Sequence, residues 1–412
     1  MIDKNIQDKN NWQIKTLGEI CETTSGGTPS RGNKSYYNGT IPWVKSGELN
    51  KGIIYDTEEK ITEVAIKNSS AKIFPKGTLL IALYGATIGK LAFLGVDAAT
   101  NQAVCGIYQN DSIDSKYIYN FLFHKKQDLV NQGIGGAQPN ISQTILKKLE
   151  IPLPNLETQQ AIVSKIEELF SALDKGIEDL KTAQQQLKTY RQSVLKWAFE
   201  GKLTNENVKE GELPEGWEWT TVKDISTLLG DGLHGTPKYD TNGEYYFING
   251  NNLNNGKIEI KENTKKVSKE EFNKYKKQLN DKTIFVSING SIGYTAFYNN
   301  EPVILGKSAC YFNVKEGINK HYIRYIFTGQ RFTNYSTLVA TGSTIKNVSL
   351  KSMREFEIPL PLKLEEQNKI VEELESRLSV ADKMEESIVQ SLQQAEALRQ
   401  SILKKAFAGE LV

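Results

Sequence analysis

"RQSVLKWAFEGKL" fills residues 191–203, and "RQSILKKAFAGEL" fills residues 399–411, so the same helical sentence occurs twice in 412 residues. Working outward, every neighbouring segment also has a partner. Trp12 in "NWQIKTLGEI" answers Trp217 in "GWEWTTVKDI", and "GGTPS" (26–30) answers "HGTPK" (234–238). "GTLLIALYGATIGKLAF" (77–93) answers "KTIFVSINGSIGYTAF" (282–297), each reading as strand, Gly-containing turn and second strand. "KYIYNFLFHKKQDL" (116–129) answers the helix-like "HYIRYIFTGQRFTN" (321–334), and "LEIPLPNLETQQ" (149–160) answers "FEIPLPLKLEEQ" (356–367). The offset stays between 204 and 208, so one long unit has been duplicated. A period of this length means two whole domains and not a solenoid.

Each unit reads as a mixed α/β head followed by a long helix. Pro154 and Pro361 stand where strand gives way to helix, since proline is tolerated at strand ends and just ahead of a helix. In the first helix Ile166, Leu173, Leu180, Leu187 and Val194 recur every seven residues, with Leu169, Gly176, Ala183, Tyr190 and Trp197 on companion positions. The second repeats the seam through Val371, Leu374, Leu378, Ala381, Ile388, Leu392, Ala395 and Ile402. This is a coiled-coil pattern, and the small residues Gly176, Ala183, Ala381 and Ala395 suit close backbones. A helix of ~40 residues is a rod of ~60 Å, longer than one head covers, so helix is expected to pack on helix. The polar linker 204–216 spans at most ~45 Å and cannot retrace that rod, so the second helix is expected to run antiparallel to the first.

The expected fold is therefore α+β: two similar α/β heads separated by a long antiparallel two-helix coiled coil with a pseudo-two-fold axis. The boundaries are residues 1–154 for the first head, 155–203 for its helix, 204–216 for the linker, 217–361 for the second head and 362–412 for the second helix.

Bulk composition adds constraints. Net charge is only +2, but the two helices are acidic, which leaves the positive charge on the heads. No run is apolar enough for a membrane span or a signal peptide, so a cytoplasmic protein is expected. Cys105 and Cys310 hold matching places in strand-like runs and read as small buried residues in a reducing compartment. No cysteine stands in metal-binding spacing with His124, His234 or His321, and no metal site is expected.

The two heads with "SGGTPSRGNKSYYNGTIPWV" (25–44), the "IPLP" joints followed by "ETQQ" and "EEQ", and the closings "LKWAFEGKL" and "LKKAFAGEL" together resemble the DNA specificity subunit of type I restriction-modification systems. The resemblance covers essentially the whole chain. It implies that the heads are target recognition domains, each reading one half of a split sequence in double-stranded DNA. It further implies that the helices are spacers that dock two methyltransferase subunits and, through these, the restriction and translocase subunits. No cofactor is expected on this chain; S-adenosylmethionine belongs to the methyltransferase partner.

The residues agree that any chemistry is a partner's. No Pro-Pro of an amino-methyltransferase motif occurs, "GATIGK" (85–90) falls short of a phosphate-binding loop and reads as a hairpin turn, and "IEIK" (258–261) lacks a nuclease's acidic partner. Side chains suited to base edges and phosphates cluster in loop-like stretches. In the first head these are Ser30, Arg31, Asn33, Lys34, Tyr36, Lys45, Asn101, Gln102, Gln138 and Asn140. In the second they are Lys238, Tyr239, Asn249, Asn251, Asn252, Lys307, Ser308, Thr344, Lys346 and Asn347. The basic run 263–277 suits a solvated helix face and a phosphate-binding ridge equally well. Tyr190, Trp197, Phe199 and Phe407 suit either core contacts with the opposite head or a docking surface. Two rival functions are a two-headed protein-binding adaptor and a self-contained DNA-modifying enzyme with unfamiliar catalytic residues.

Overall fold

The computed structural model describes residues 12–50, 52–133, 140–205, 208–209 and 211–412. Two compact units divide the chain: residues 1–180 with 390–412, and residues 181–389. The sequence suggests a boundary between head and helix. The structure instead divides the helices, giving each unit one head and a stretch of both.

The reason lies in how the cores close. In the first unit the core includes Leu17, Tyr117, Phe121 and Leu146 from the head, Ile162, Val163 and Ile166 from the helix Leu156–Phe199, and Ile402, Leu403, Ala406 and Phe407 from the helix Leu364–Phe407. Phe407 meets Tyr117 and Phe121 edge-on, with centroids 5.3 and 5.1 Å apart. The second unit repeats the plan with Val194, Leu195, Ala198 and Phe199 of the first helix and Ile370, Val371 and Leu374 of the second. There Phe199 meets Tyr322 edge-on at 5.5 Å. Each head thus buries the start of its own helix and the end of the other.

Within each unit the two helical stretches run antiparallel. In the first, Arg399 pairs with Asp174 while Ile402 shares a core with Ile166. In the second, Arg191 pairs with Asp382 at 2.6 Å and Glu385 at 3.0 Å while Val194 shares a core with Leu374. Such exposed pairs add little stability but fix the register.

Along the seam Ile166, Leu187, Val194, Leu374, Ala381, Ala395 and Ile402 are buried, and Leu173, Leu180 and Ile388 are half-buried. Of the companion positions of the first helix, Leu169 packs on the first core and Ala183 is half-buried, but Gly176, Tyr190 and Trp197 depart from expectation. A methyl group on Gly176 would meet nothing within 4 Å, and Tyr190 and Trp197 are exposed, while Leu195 and Phe199 are buried instead. A straight helix drifts by ~20° per heptad against a seven-residue repeat, so a fixed companion position rotates out of the narrow stripe that two helices share.

The heads share their central strand pairings, although the first builds a five-stranded and a four-stranded sheet and the second a four-stranded, a three-stranded and a two-stranded one. In the first, Gln13–Thr16 pairs with Glu150–Leu153, as Trp217–Thr221 pairs with Glu357–Pro361 in the second. These two-stranded ladders tolerate Pro152 and Pro359 because neither strand has a second neighbour. The hairpin Leu79–Ala82 with Leu91–Leu94 matches Thr283–Ser287 with Thr295–Phe297, and each lies against a strand carrying a buried free cysteine, Cys105 or Cys310. Burial in the apolar sheet pushes the Cys310 thiol up to about 12. A second sheet in each head carries a parallel pairing, Trp43–Val44 beside Ala99–Thr100 and Tyr246–Ile248 beside Val303–Leu305.

Head and helix are joined by one buried glutamine in each unit. Gln159 accepts from the Asp114 backbone N–H at 2.9 Å and donates to the Pro154 carbonyl at 3.0 Å. Gln367 does the same with Asn319 and Pro361, both at 2.8 Å. Beside them Tyr117 donates to the Pro152 carbonyl and Tyr322 to the Pro359 carbonyl. The glutamines satisfy strand-end and helix-cap groups that no ladder reaches.

Two expectations follow for stability. Phe199→Ala and Phe407→Ala should each cost about 3–5 kcal/mol in urea unfolding, and Trp197→Ala, at 39% exposure, clearly less; equal losses at Phe199 and Trp197 would contradict the packing. Gln159→Leu and Gln367→Leu each leave one buried carbonyl and one part-buried N–H unpaired and should cost roughly 1–3 kcal/mol for the carbonyl and less for the N–H.

Candidate nucleic-acid interface

At one corner of each head the loops are tied together by the same backbone bonds. In the first head Trp43 N donates to the Glu59 carbonyl, Asn101 N to Val44, Gly27 N to Thr100, Leu83 N to Ala103 and Ile141 N to Leu83, all at 2.8–3.1 Å. In the second, Phe247 N donates to Lys265, Gly306 N to Ile248, Leu233 N to Leu305, Ile288 N to Ser308 and Val348 N to Ile288, all at 2.7–2.9 Å. Isolated bridges close both corners, Tyr84 to Asn140 and Asn289 to Asn347. Glycine is required where the first loop crosses the sheet edge: a Cβ on Gly26 would lie 2.2 Å from the Thr100 carbonyl oxygen, and on Gly232 2.2 Å from that of Leu305.

A short helical turn on the central loop is held by an inward side chain in each head. Buried Glu48 accepts from the backbone N–H of Lys45 at 2.9 Å and of Glu58 at 3.1 Å. Buried Asn252 takes the equivalent place, accepting from Asn249 N at 3.0 Å and donating to the Glu259 carbonyl at 2.9 Å.

The residues expected at DNA divide on this frame. Ser30, Lys34, Gln102 and Asn140 are exposed in the first head, as are Lys238, Tyr239, Asn251, Lys307, Thr344 and Lys346 in the second. Gln138 lies outside the described residues. Others are committed to the frame. Asn33 caps the turn Lys34–Tyr36 by accepting from Ser35 N, Tyr36 packs on the cluster of Ile41, Trp43 and Ile61, and Asn101 accepts from Ala103 N at 3.2 Å. Ser308 donates to Asn249 Oδ1 at 3.0 Å, and Asn347 accepts from Asn289 Nδ2 at 3.2 Å. The expectation for Asn252 is corrected outright, because its amide is buried and bonded inward. Short polar side chains serve equally at a turn and at a base edge, and a residue list does not separate the two.

Arg31 and Lys45, also expected at DNA, are held in ion pairs. Arg31 binds Glu59 through both terminal nitrogens, at 2.5 and 3.3 Å, and lies over the rings of Tyr37 and Trp43 at 4.7 and 5.1 Å. Lys45 binds Glu58 at 2.9 Å and Glu59 at 3.2 Å. The Arg31 guanidinium holds the Glu59 carboxyl below the usual carboxylate range, and the two glutamates push the Lys45 ammonium up.

Several exposed groups at these corners were not singled out from sequence. Tyr84 and Tyr294 stand on the hairpin turns, 44% and 50% exposed, and His234 holds Asp231 at 2.6 Å. The turn signal in "YGATIG" and "NGSIGY" was readable, but the outward aromatic was not. The basic run 263–277 contributes a helix, Lys269–Tyr275, whose Phe272 stacks on Tyr245 at 4.2 Å. The "IEIK" side chains brace a loop: Glu259 accepts from Asn254, and Lys261 donates to the Asn251 carbonyl at 2.9 Å. "GATIGK" forms the turn of an antiparallel hairpin. Among the described residues, no group of three His, Cys, Asp or Glu side chains is placed to hold a metal, and no helix is long and apolar enough to cross a membrane.

The duplicated frame matches known proteins. The family model for the type I restriction modification DNA specificity domain matches twice, over residues 9–182 and 214–394. The MjaIX specificity subunit of Methanocaldococcus jannaschii is 36% identical over 227 residues, covering 52% of this chain and 51% of that protein. The EcoR124I/EcoR124II specificity subunit of Escherichia coli is 30% identical over 187 residues, covering 43% of this chain and 46% of that one. The chain thus spans about half the length of each of these two relatives. A solved structure described as the basis of complex assembly and conformational transition of the type I R-M system contains a chain of the same fold, with a TM-score of 0.76, 19% identity and coverage of 97% of this chain and 98% of that one. With the domain matched over both heads and well into both helices, the chain belongs to the type I restriction modification DNA specificity domain family, and carries the domain twice.

Proposed function

We propose that this chain is the non-catalytic DNA-recognition subunit of a type I restriction-modification complex, and that its two loop corners read the two halves of a split target. The observation that carries the reading is that the frame is duplicated while the tips are not. The backbone bonds of one corner recur in the other, yet Ser30 answers Lys238, Gln102 answers Lys307, and Tyr84 answers Asn289. Similar scaffolds with different exposed side chains suit the reading of two different short sequences, because contacts to the phosphate backbone position a protein on a duplex and side chains on base edges discriminate.

On this reading Ser30, Lys34, Gln102, Asn140 and Tyr84 face DNA in the first head, and Lys238, Tyr239, Asn251, Lys307, Thr344 and Lys346 in the second. Each helix has 44 residues, about 66 Å at the usual rise, and the pair sets the spacer between half-sites. Two methyltransferase subunits, carrying S-adenosylmethionine, dock on the chain and modify one adenine in each strand, and restriction and translocase subunits join through them. The work of this chain is to position; transfer and cleavage are done by the partners in the cytoplasm.

Mapping modified adenines in DNA from cells that express this chain with its methyltransferase tests the reading. The two half-sites should differ in sequence. Replacing the first head by another should alter one half-site only, and adding one heptad to both helices should lengthen the spacer with both half-sites kept; changed half-sites at an unchanged spacing would overturn it. Gln102→Ala should relax discrimination at one position of the first half-site, by about 1–3 kcal/mol for a bidentate contact.

A further inference from the structure

We infer that the two heads hold DNA by unequal means: at the positions their frames share, the second head presents phosphate-binding cations, whereas the cations of the first are compensated by carboxylates, which leaves Lys34, outside those positions, as the exposed cation of its corner. The inference rests on the DNA-reading role proposed above and adds how the two corners divide the work.

Six positions can be matched between the corners by their place in the frame. Ser30 and Arg31 follow Thr-Pro as Lys238 and Tyr239 do. Glu59 and Lys265 are the residues whose carbonyls accept from Trp43 N and Phe247 N, at 3.1 and 2.8 Å, and Glu58 and Thr264 precede them. Lys45 and Asn249 open the short turns Ser46–Glu48 and Gly250–Asn252. Gln102 and Lys307 follow Asn101 and Gly306, whose N–H groups donate to Val44 and Ile248.

At these positions the first head has two cations, Arg31 and Lys45, and two carboxylates, Glu58 and Glu59, all bonded to one another. The sum is zero. The second head has three lysines, Lys238, Lys265 and Lys307, and no carboxylate. All three are exposed, and none is ion-paired among the described residues. Nearby Glu271 is buried and accepts the backbone N–H of Lys238 at 2.9 Å, and Asp231 is held by His234 at 2.6 Å. Where Glu59 draws Arg31 down onto Tyr37 and Trp43, Lys265 stands 6.0 Å from the ring of Tyr239, which itself lies 6.2 Å from Phe247. A cation lies by an aromatic ring in both heads, but the frame position that holds the carboxylate Glu59 in the first holds the ammonium Lys265 in the second.

A cation already bound to a carboxylate releases few counterions when a phosphate approaches, because it would have to exchange one anion for another. A free ammonium releases nearly one. The salt sensitivity of binding should therefore reside mainly in the second head, and the first should act chiefly through hydrogen bonds and shape, with Lys34 as its one contributing cation among these residues.

The test is the slope of log Kd against log salt concentration for the full-length chain on a random-sequence 40-base-pair duplex, compared among variants that keep the wild-type circular dichroism. Lys238→Gln/Lys265→Gln/Lys307→Gln should lower the slope by about 2–3, at ~0.9 per lost phosphate contact. Arg31→Gln/Lys45→Gln should leave it within about 0.5, and Glu58→Gln/Glu59→Gln, which frees both cations, should raise it. Equal losses from the second-head triple variant and the Arg31/Lys45 variant, or an unchanged slope in the triple variant, would overturn the inference while leaving DNA reading intact. A wild-type chain whose duplex binding has no salt dependence would overturn both.

Discussion

Tyr117 and Tyr322 sit at the base of their heads, each donating to a strand carbonyl and each facing a phenylalanine that the sequence places in the other repeat. Phe407 closes the first core and Phe199 the second, with two or three aliphatic neighbours apiece. A head without that insertion would expose an aromatic floor to water, at a cost of several kcal/mol for the phenylalanine alone. The antiparallel course of the helices within each unit follows from this need. So does the continuity of each helix over 44 residues, since one helix must serve a core at either end.

Above that floor the heads are conservative where backbone meets backbone and variable where side chains meet solvent. Glu48 and Asn252 differ in charge yet cap the same turn, because either can accept two inward hydrogen bonds or exchange one for a donor. Gly26 and Gly232 leave no room for any side chain. Gln102 and Lys307, one residue beyond fixed backbone bonds, are free to differ. Separating frame from tip in this way lets recognition change without refolding the head, and such separation is how loops on rigid scaffolds commonly carry function.

Much of this was legible from residues alone, for definite reasons. Duplication was visible because helix ends, hairpins and Pro-containing joints each kept their local pattern at an offset of 204–208. The seam of the long helices was visible because Ile166, Val194, Leu374 and Ile402 obey a fixed period. The later companion positions were not, because a drift of ~20° per heptad turned Tyr190 and Trp197 outward, whereas Leu169 stays on the first core. At the loops the sequence showed which residue types were available, but not their partners. Arg31 looked like a reader until Glu59, 28 residues away, was found to hold it, and Asn252 looked like one until its amide proved to be buried. Pairings between loops distant in sequence have no period to betray them.

The insertion of Phe407 beneath Tyr117 joins residues 290 positions apart. During synthesis the chain is made from its beginning, so the second unit, residues 181–389, has all its parts translated before the first, which includes residues 390–412. The first head must wait, its tyrosine floor uncovered, until the closing turns of the last helix arrive. Order of completion is thus inverted relative to order of translation, and the early-made head is the one that remains longest exposed to aggregation or to chaperone capture.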